Sequence, residues 1–139
     1  MKVFLDTNVL VSAVATRGLC ADVLREVLLS HRLVVSDPLL TELESVLRKK
    51  LNIPGDLISE FQAILKQDAH LSTPSSPPEV KISDKNDLPI LSSALNGDAA
   101  LFVTGDNELL GLRKIGKMKI VSPRMFWEEL VKARPTNRP

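Results

Sequence analysis

The chain has 139 residues, a net charge of +1, and is 44% hydrophobic, 25% charged and only 4% aromatic. That composition excludes a disordered or collagen-like polymer, and the length suits one buried core rather than two. No apolar run approaches the ~20 residues needed to cross a bilayer, and the chain starts on a strand rather than a signal-peptide core, so the expected compartment is the cytoplasm, without membrane association.

Val3, Phe4 and Leu5 are apolar without polar alternation, as in a short strand buried on both faces of a parallel sheet. The strand ends abruptly in Asp6, Thr7 and Asn8. From Leu19 to His31, Cys20, Leu24, Val27 and Leu28 recur at helical spacing, which makes the single cysteine a core thiol and His31 a helix end. Leu33 to Ser36 has strand length, and Asp37 and Pro38 signal a helix start directly behind it. That helix runs to about Lys50, with Leu39, Leu40, Leu43, Val46 and Leu47 on one face, and a further helix spans Asp56 to Gln67.

His70 reads as structural, and STPSSPPEV as a surface connection. Asp87 to Asn96 forms a helix with Pro89 tolerated in its first turn. Leu101 to Val103 is a strand that ends, like the first, in polar residues: Thr104, Gly105 and Asp106. A last strand, Lys119 to Ser122, leads through Pro123 into the helix RMFWEELV, where Phe126 and Trp127 read as core residues. Strands alternating with helices over short connections specify an α/β fold: three layers, α/β/α, around a central parallel sheet of about four or five strands. Residues 1–133 are read as one domain and 134–139 as a flexible tail.

Four carboxylates fall where such a sheet would gather them. Asp6 and Asp106 end strands, Asp87 opens a helix, and Glu42 lies one turn into the helix after the second strand. At ~100° per residue, Glu42 stands about 100° from a stripe centred on Leu43, beside Val46; Glu44 occupies the opposite border, and the pattern does not choose between them. Each short acid, Asp84 included, is also a natural helix cap. Caps at several parallel strand ends, however, crowd negative charge into one cleft, where repulsion is costly without a cation. Oxygen ligands without a cysteine or histidine cluster suit Mg²⁺ or Mn²⁺ rather than zinc. Phosphodiester hydrolysis is the reaction such a cleft performs well. From Leu109 onward eight bases, Arg113, Lys114, Lys117, Lys119, Arg124, Lys132, Arg134 and Arg138, face two acids, Glu128 and Glu129, and form a candidate surface for flanking phosphates.

These residues resemble the PIN-domain family of metal-dependent nucleases. The resemblance rests on the opening DTNVL, the ELESVL helix, DLPILSSAL and LFVTGDNELLGL followed by IVSPRMF, in that order over essentially the whole chain. It implies a Mg²⁺- or Mn²⁺-dependent ribonuclease, and TGD followed by a short leucine helix is similar to the toxins of toxin-antitoxin pairs. Carried over by position, it assigns catalysis and metal binding to Asp6, Glu42, Asp87 and Asp106, choosing Glu42 over Glu44. Asp84 is an additional candidate ligand that could equally cap its helix or orient a water. Asn8 and Thr104 would hydrogen-bond and orient the carboxylates. The implied partners are an RNA substrate, a small antitoxin covering the cleft and a second copy of the chain in a dimer. Two rivals are a phosphoryl-transfer domain with Asp6 as nucleophile and a non-catalytic PIN-like module that holds RNA or protein. The phosphatase version places a second Asp where this chain has Asn8; the receiver version wants a lysine where Lys114 and Lys117 do not fit. Dinucleotide binding fails because the first turn lacks a glycine fingerprint.

Overall fold

The computed structural model describes residues 1–133; the expected tail, 134–139, lies outside the described residues. The elements run β1 (Lys2–Leu5), α1 (Thr7–Ala15), α2 (Leu19–Ser30), β2 (Arg32–Ser36), α3 (Asp37–Lys49), α4 (Gly55–Lys66), β3 (His70–Ser72), α5 (Asp87–Asn96), β4 (Leu101–Val103), α6 (Asn107–Leu112), β5 (Lys114–Ile115), β6 (Met118–Val121) and α7 (Pro123–Ala133). One six-stranded sheet has the order β3-β2-β1-β4-β6-β5. Its pairs are parallel except β5 with β6, which is antiparallel.

The sheet is flanked by helices, and its centre shows why the opening strand lacks alternation. Val3, Phe4 and Leu5 of β1 and Phe102 and Val103 of β4 are all 0% exposed. Phe4 lies opposite Phe102 in the register, and their rings stack with centroids 5.3 Å apart, a cross-strand pair of the kind that adds to sheet stability. The apolar stripe of α3 buries Leu39, Leu40, Leu43 and Leu47, and Ser36 caps that helix by accepting from the Leu39 N–H. In α7, Phe126 is buried and carries the edge of the His31 ring at 6.0 Å, so His31 is the C-cap of α2 and a packing residue. Cys20 is half-buried against the core.

The sheet has two more strands than the sequence pattern marks, and both are short rim elements. β3 is three residues of HLS whose backbone pairs with Val34 to Ser36. β5 has two residues, joined to β6 by a hairpin whose two-residue loop starts at Gly116 with φ +58°, the positive angle such a turn needs at its first position. Strands this short carry no periodicity to read. The STPSSPPEV connection is fastened to α5: the Ser75 N–H donates to Ser92 Oγ at 2.7 Å and Asn96 Nδ2 to the Thr73 carbonyl at 2.7 Å. Close approach at the end of α5 requires Gly97, since a Cβ there would stand 2.7 Å from Val34 Cγ1.

From β1 the chain steps outward through β2 to β3, then returns to the other side of β1 to lay down β4 and β6. The direction reverses between β1 and β4. In open α/β sheets the crevice outside the carboxyl ends of strands at such a reversal is where ligands sit.

Candidate functional site

That crevice is occupied by acids. Asp6, Glu42, Asp87 and Asp106 line one open cleft of about 340 Å³. Four elements deliver them: the end of β1, the first turns of α3, the start of α5 and the end of the β4 connection. The structure also separates Glu42 from Glu44. Glu42 borders the cleft, whereas Glu44 forms an ion pair one helical turn on with Arg48. Asp84 is exposed and outside the cleft lining; its carboxylate accepts from the Asn86 N–H at 2.9 Å, a turn that leads into α5.

Asp6 is the most firmly held. Its Oδ1 accepts from the Thr7 N–H at 2.8 Å, and its Oδ2 accepts from Thr104 Oγ1 at 2.8 Å and from Asn8 Nδ2 at 3.2 Å. Asn8 Oδ1 in turn accepts from the Gly105 N–H at 2.9 Å, and Thr104 Oγ1 from the Asp106 N–H at 3.0 Å. Asn8 and Thr104 thus tie the ends of β1 and β4 together through the carboxylate between them. Asp106 caps α6, accepting from the Glu108 N–H at 2.9 Å. Capping and cleft lining coexist in Asp6 and Asp106, because a cap residue at a parallel strand end already points its oxygens toward the crevice.

The cleft holds more negative charge than it compensates. Burial pushes the Asp6 carboxyl up to about 6 from its ordinary 3.8, against the lowering by its Thr104 and Thr7 hydrogen bonds and helped by the charges of Glu42 and Asp106. Burial and then the charges of Asp6, Asp84, Asp106 and Glu42 push Asp87 up to about 7. No hydrogen bond or ion pair reaches the Asp87 or Glu42 carboxylate among the described residues. Thr7 lines the same cleft, and its buried Oγ1 has no partner either.

Oxygens without partners and acids raised by burial and by one another leave the cleft's negative charge uncompensated. Among the described residues, no group of three or more histidine, cysteine or acidic side chains stands close enough to hold a metal ion as placed. By donor chemistry alone, four carboxylates without a thiol or imidazole suit a hard ion such as Mg²⁺, which keeps several of its waters and takes only one or two carboxylates directly.

Two bases of the C-terminal segment, Lys117 and Lys119, lie away from this cleft. Lys117 lines a different depression with Asp98, Ala99 and Ala100, just before β4, at the amino edge of the sheet, and Lys119 pairs with Leu101 at the start of β4. Lys50, at the end of α3, is the base that lines the acidic cleft. Its position eight residues after Glu42, on the same helical stripe, is the signal that marks it in the sequence. Ser83 and Glu108, joined beside the cleft, were missed, since nothing in sequence links residues so far apart.

Similar folds occur in the structure of VapBC2 from Rickettsia felis bound to a DNA fragment from their promoter, with a TM-score of 0.63, 18% identity, and 88% of this chain and 98% of that chain covered. They occur also in VapBC-1 from nontypeable Haemophilus influenzae, with a TM-score of 0.57, 18% identity, and 89% and 99% of the two chains covered. At that identity the likeness establishes the fold. No curated protein matches the chain. The sequence profile of the PIN domain matches residues 2–108, from the first strand through the acid-capped start of α6. With most of its length matched and the fold shared, the chain belongs to the PIN-domain family.

Proposed function

We propose that the protein is a metal-dependent endoribonuclease, acting on RNA phosphodiester bonds with Mg²⁺ or Mn²⁺ held by Asp6, Glu42, Asp87 and Asp106, and that it is the toxin of a toxin-antitoxin pair. The observation that carries this reading is the convergence of four acids from four elements on one cleft, two of them raised to about 6 and 7 by burial and by one another. A divalent ion, when bound, supplies Lewis acidity at the phosphoryl oxygen. The chain's own part is to orient and to compensate. Asn8 and Thr104 fix the Asp6 carboxylate by hydrogen bonds, and Thr104 fixes the Asp106 backbone as well. Asp87 carries no such restraint and adjusts to what enters. Asp84 stands next to this group, where its charge raises Asp87 without lining the cleft.

The toxin assignment is supported by the TGDNELL motif and by the likeness to the two VapBC structures. It includes a small antitoxin as partner and a homodimer as the working form. Calorimetry with Mn²⁺, followed by cleavage of a fluorescent single-stranded RNA with and without EDTA, tests the enzymatic part. Cleavage should need the metal and vanish in Asp6→Asn, Asp87→Asn and Asp106→Asn. Variants that cut as fast as the parent would overturn it, and a parent that neither binds Mn²⁺ nor cuts would favour a non-catalytic module. For the toxin part, the product of the adjacent reading frame should bind the chain and suppress the cleavage; a neighbour that does neither removes that assignment.

A further inference from the structure

The cleft has two poles, and the mechanism above uses one. Two turns beyond Glu42 along α3 stands Lys50, which lines the cleft too and whose backbone N–H closes α3 on the Val46 carbonyl at 2.9 Å. The apolar lining is Val46, between Glu42 and Lys50 along α3, and Val11 from α1. Glu42, Val46 and Lys50 are spaced four residues apart and so lie on one stripe of α3, an acid at its first turns and a base at its end, about 12 Å apart along the axis at 1.5 Å per residue. Lys50 is exposed and has no ion-pair partner within 4.0 Å among the described residues. A lysine free of any carboxylate in a cleft lined by four of them is a cation kept for something that enters.

We propose that Lys50 and the Val11–Val46 floor form a substrate subsite: the lysine binds a phosphate flanking the scissile one, and the two valines lie under the nucleoside between. The inference rests on the ribonuclease reading for the identity of the polyanion. The acids repel a nucleic-acid backbone everywhere else in the cleft, so the phosphates not facing a metal need a protein cation, and Lys50 is the base that lines this cleft. The apolar floor suits a sugar or base face, which packs without sequence readout. Such a subsite sets substrate length and register rather than base preference, since a phosphate contact carries no sequence information.

The test uses the full chain and a fluorescein-labelled single-stranded uridine oligomer. Anisotropy titrations at several salt concentrations, with Ca²⁺ in place of the cleaving metal, give affinity and its salt slope. Lys50→Ala should weaken binding about fivefold, the size of one solvent-exposed ion pair, and reduce the slope of log affinity against log salt by about 0.7, the value for one phosphate contact on a single strand. Lys50→Arg should keep both near the parent's. In Mn²⁺ cleavage, Lys50→Ala should raise KM with kcat unchanged on the oligomer, and have no effect on a dinucleotide whose ends are hydroxyls. An unchanged salt slope in Lys50→Ala, an equal loss on the dinucleotide, or no binding by the parent overturns the subsite. Failure of the nuclease reading shows separately, as Lys50-dependent RNA binding by a parent that does not cut.

Discussion

The two halves of the cleft are built differently. Asp6 follows the buried residues Val3, Phe4 and Leu5 at the end of β1, accepts three hydrogen bonds, and is only 4% exposed. Asp87 follows a long irregular connection, is partly exposed, and has no hydrogen bond to its carboxylate among the described residues. One acid is held by the sheet; the other is delivered by a loop. The contrast shows two ways of bringing a carboxylate to one cleft, one fixed by hydrogen bonds and one placed by the connection before it. If the reading is right, loss of either acid should cost activity equally but stability unequally.

The largest expected effect is on cleavage. Partners that orient a metal ligand are typically worth 10- to 100-fold, so loss of a ligand itself, in Asp6→Asn or Asp87→Asn, should cost at least about 100-fold in kcat/KM. Their thermal stabilities in EDTA at pH 8 should part company. Asp87→Asn removes a charge that its neighbours repel and breaks no hydrogen bond, so its Tm should exceed the parent's. Asp6→Asn removes a charge but also loses acceptor oxygens that Thr7, Asn8 and Thr104 use, and should gain less or fall. Equal shifts in Tm would mean that the two halves are not distinct.

Next in size is the link across the fixed half. Thr104 Oγ1 donates to Asp6 and accepts from the Asp106 N–H, and the residue is 0% exposed. Thr104→Val keeps the shape and deletes these two bonds and the one that Asn8 Nδ2 donates to the same oxygen at 3.3 Å, stranding a backbone donor. It should lower stability by about 1–3 kcal/mol in urea and Mn²⁺ affinity by about 10-fold or more by calorimetry. A variant that binds Mn²⁺ like the parent would show that Asp6 needs no support from β4.

The adjustable half has its own fastening. Glu108 accepts from the Ser83 N–H at 2.9 Å and from Ser83 Oγ at 2.8 Å, bonds that hold its carboxyl below its ordinary range. They tie the loop four residues before Asp87 to the first turn of α6, two residues after Asp106. Ser83→Ala removes one of the two. Mn²⁺ affinity should drop by about threefold, less than for Thr104→Val, because the exposed loop keeps the backbone bond and water replaces the other. The rate of amide exchange in residues 79–86 should rise while that of β1 and β4 stays unchanged; faster exchange in β4 would place the fastening in the fixed half instead.

The same division governs what could be read from sequence. β1, β4 and the stripe of α3 are specified by local patterns: unbroken apolar triplets and leucines at helical spacing, features that survive in a one-dimensional reading. The strand ends and the acids on them follow from that, which is why Asp6 and Asp106 were legible as a pair. Glu42 against Glu44 was not, because both border the same stripe; only the Glu44–Arg48 pair and the cleft on the other side distinguish them. α1 escaped notice for a different reason: TNVLVSAVA is apolar on nearly every side and half β-branched, so its period is blurred. A charge count does not say which edge of the sheet carries the charge: Lys117 and Lys119 stand at the amino edge. Lys50 and the Ser83–Glu108 tie depend on contacts across the cleft and were invisible for the same reason.

The smallest effect is the pH dependence of the metal-free protein, and its sign is diagnostic. Asp6 and Asp87 are raised from 3.8 to about 6 and about 7 in the folded chain. Between pH 4 and 7 the folded state therefore binds more protons at these sites than the unfolded state does, and their contribution to stability falls as pH rises through that window. His31 contributes the opposite slope, since burial lowers its pKa and the unfolded chain takes up the proton more readily below pH 6.5. Comparison with Asp87→Asn cancels His31 and leaves Asp87 together with its coupling to Asp6 and the other acids of the cleft. In EDTA the variant's urea midpoint should gain on the parent's from pH 5 to pH 8 by about a few tenths molar, a modest amount because Asp87 is partly exposed and water screens it. In saturating Mn²⁺ the order should reverse at pH 8, where the parent has the ligand and the variant lacks it. A difference between the two proteins that is constant with pH in EDTA would show that Asp87 ionises as it does in the unfolded chain, and that the acids of the cleft do not sense one another.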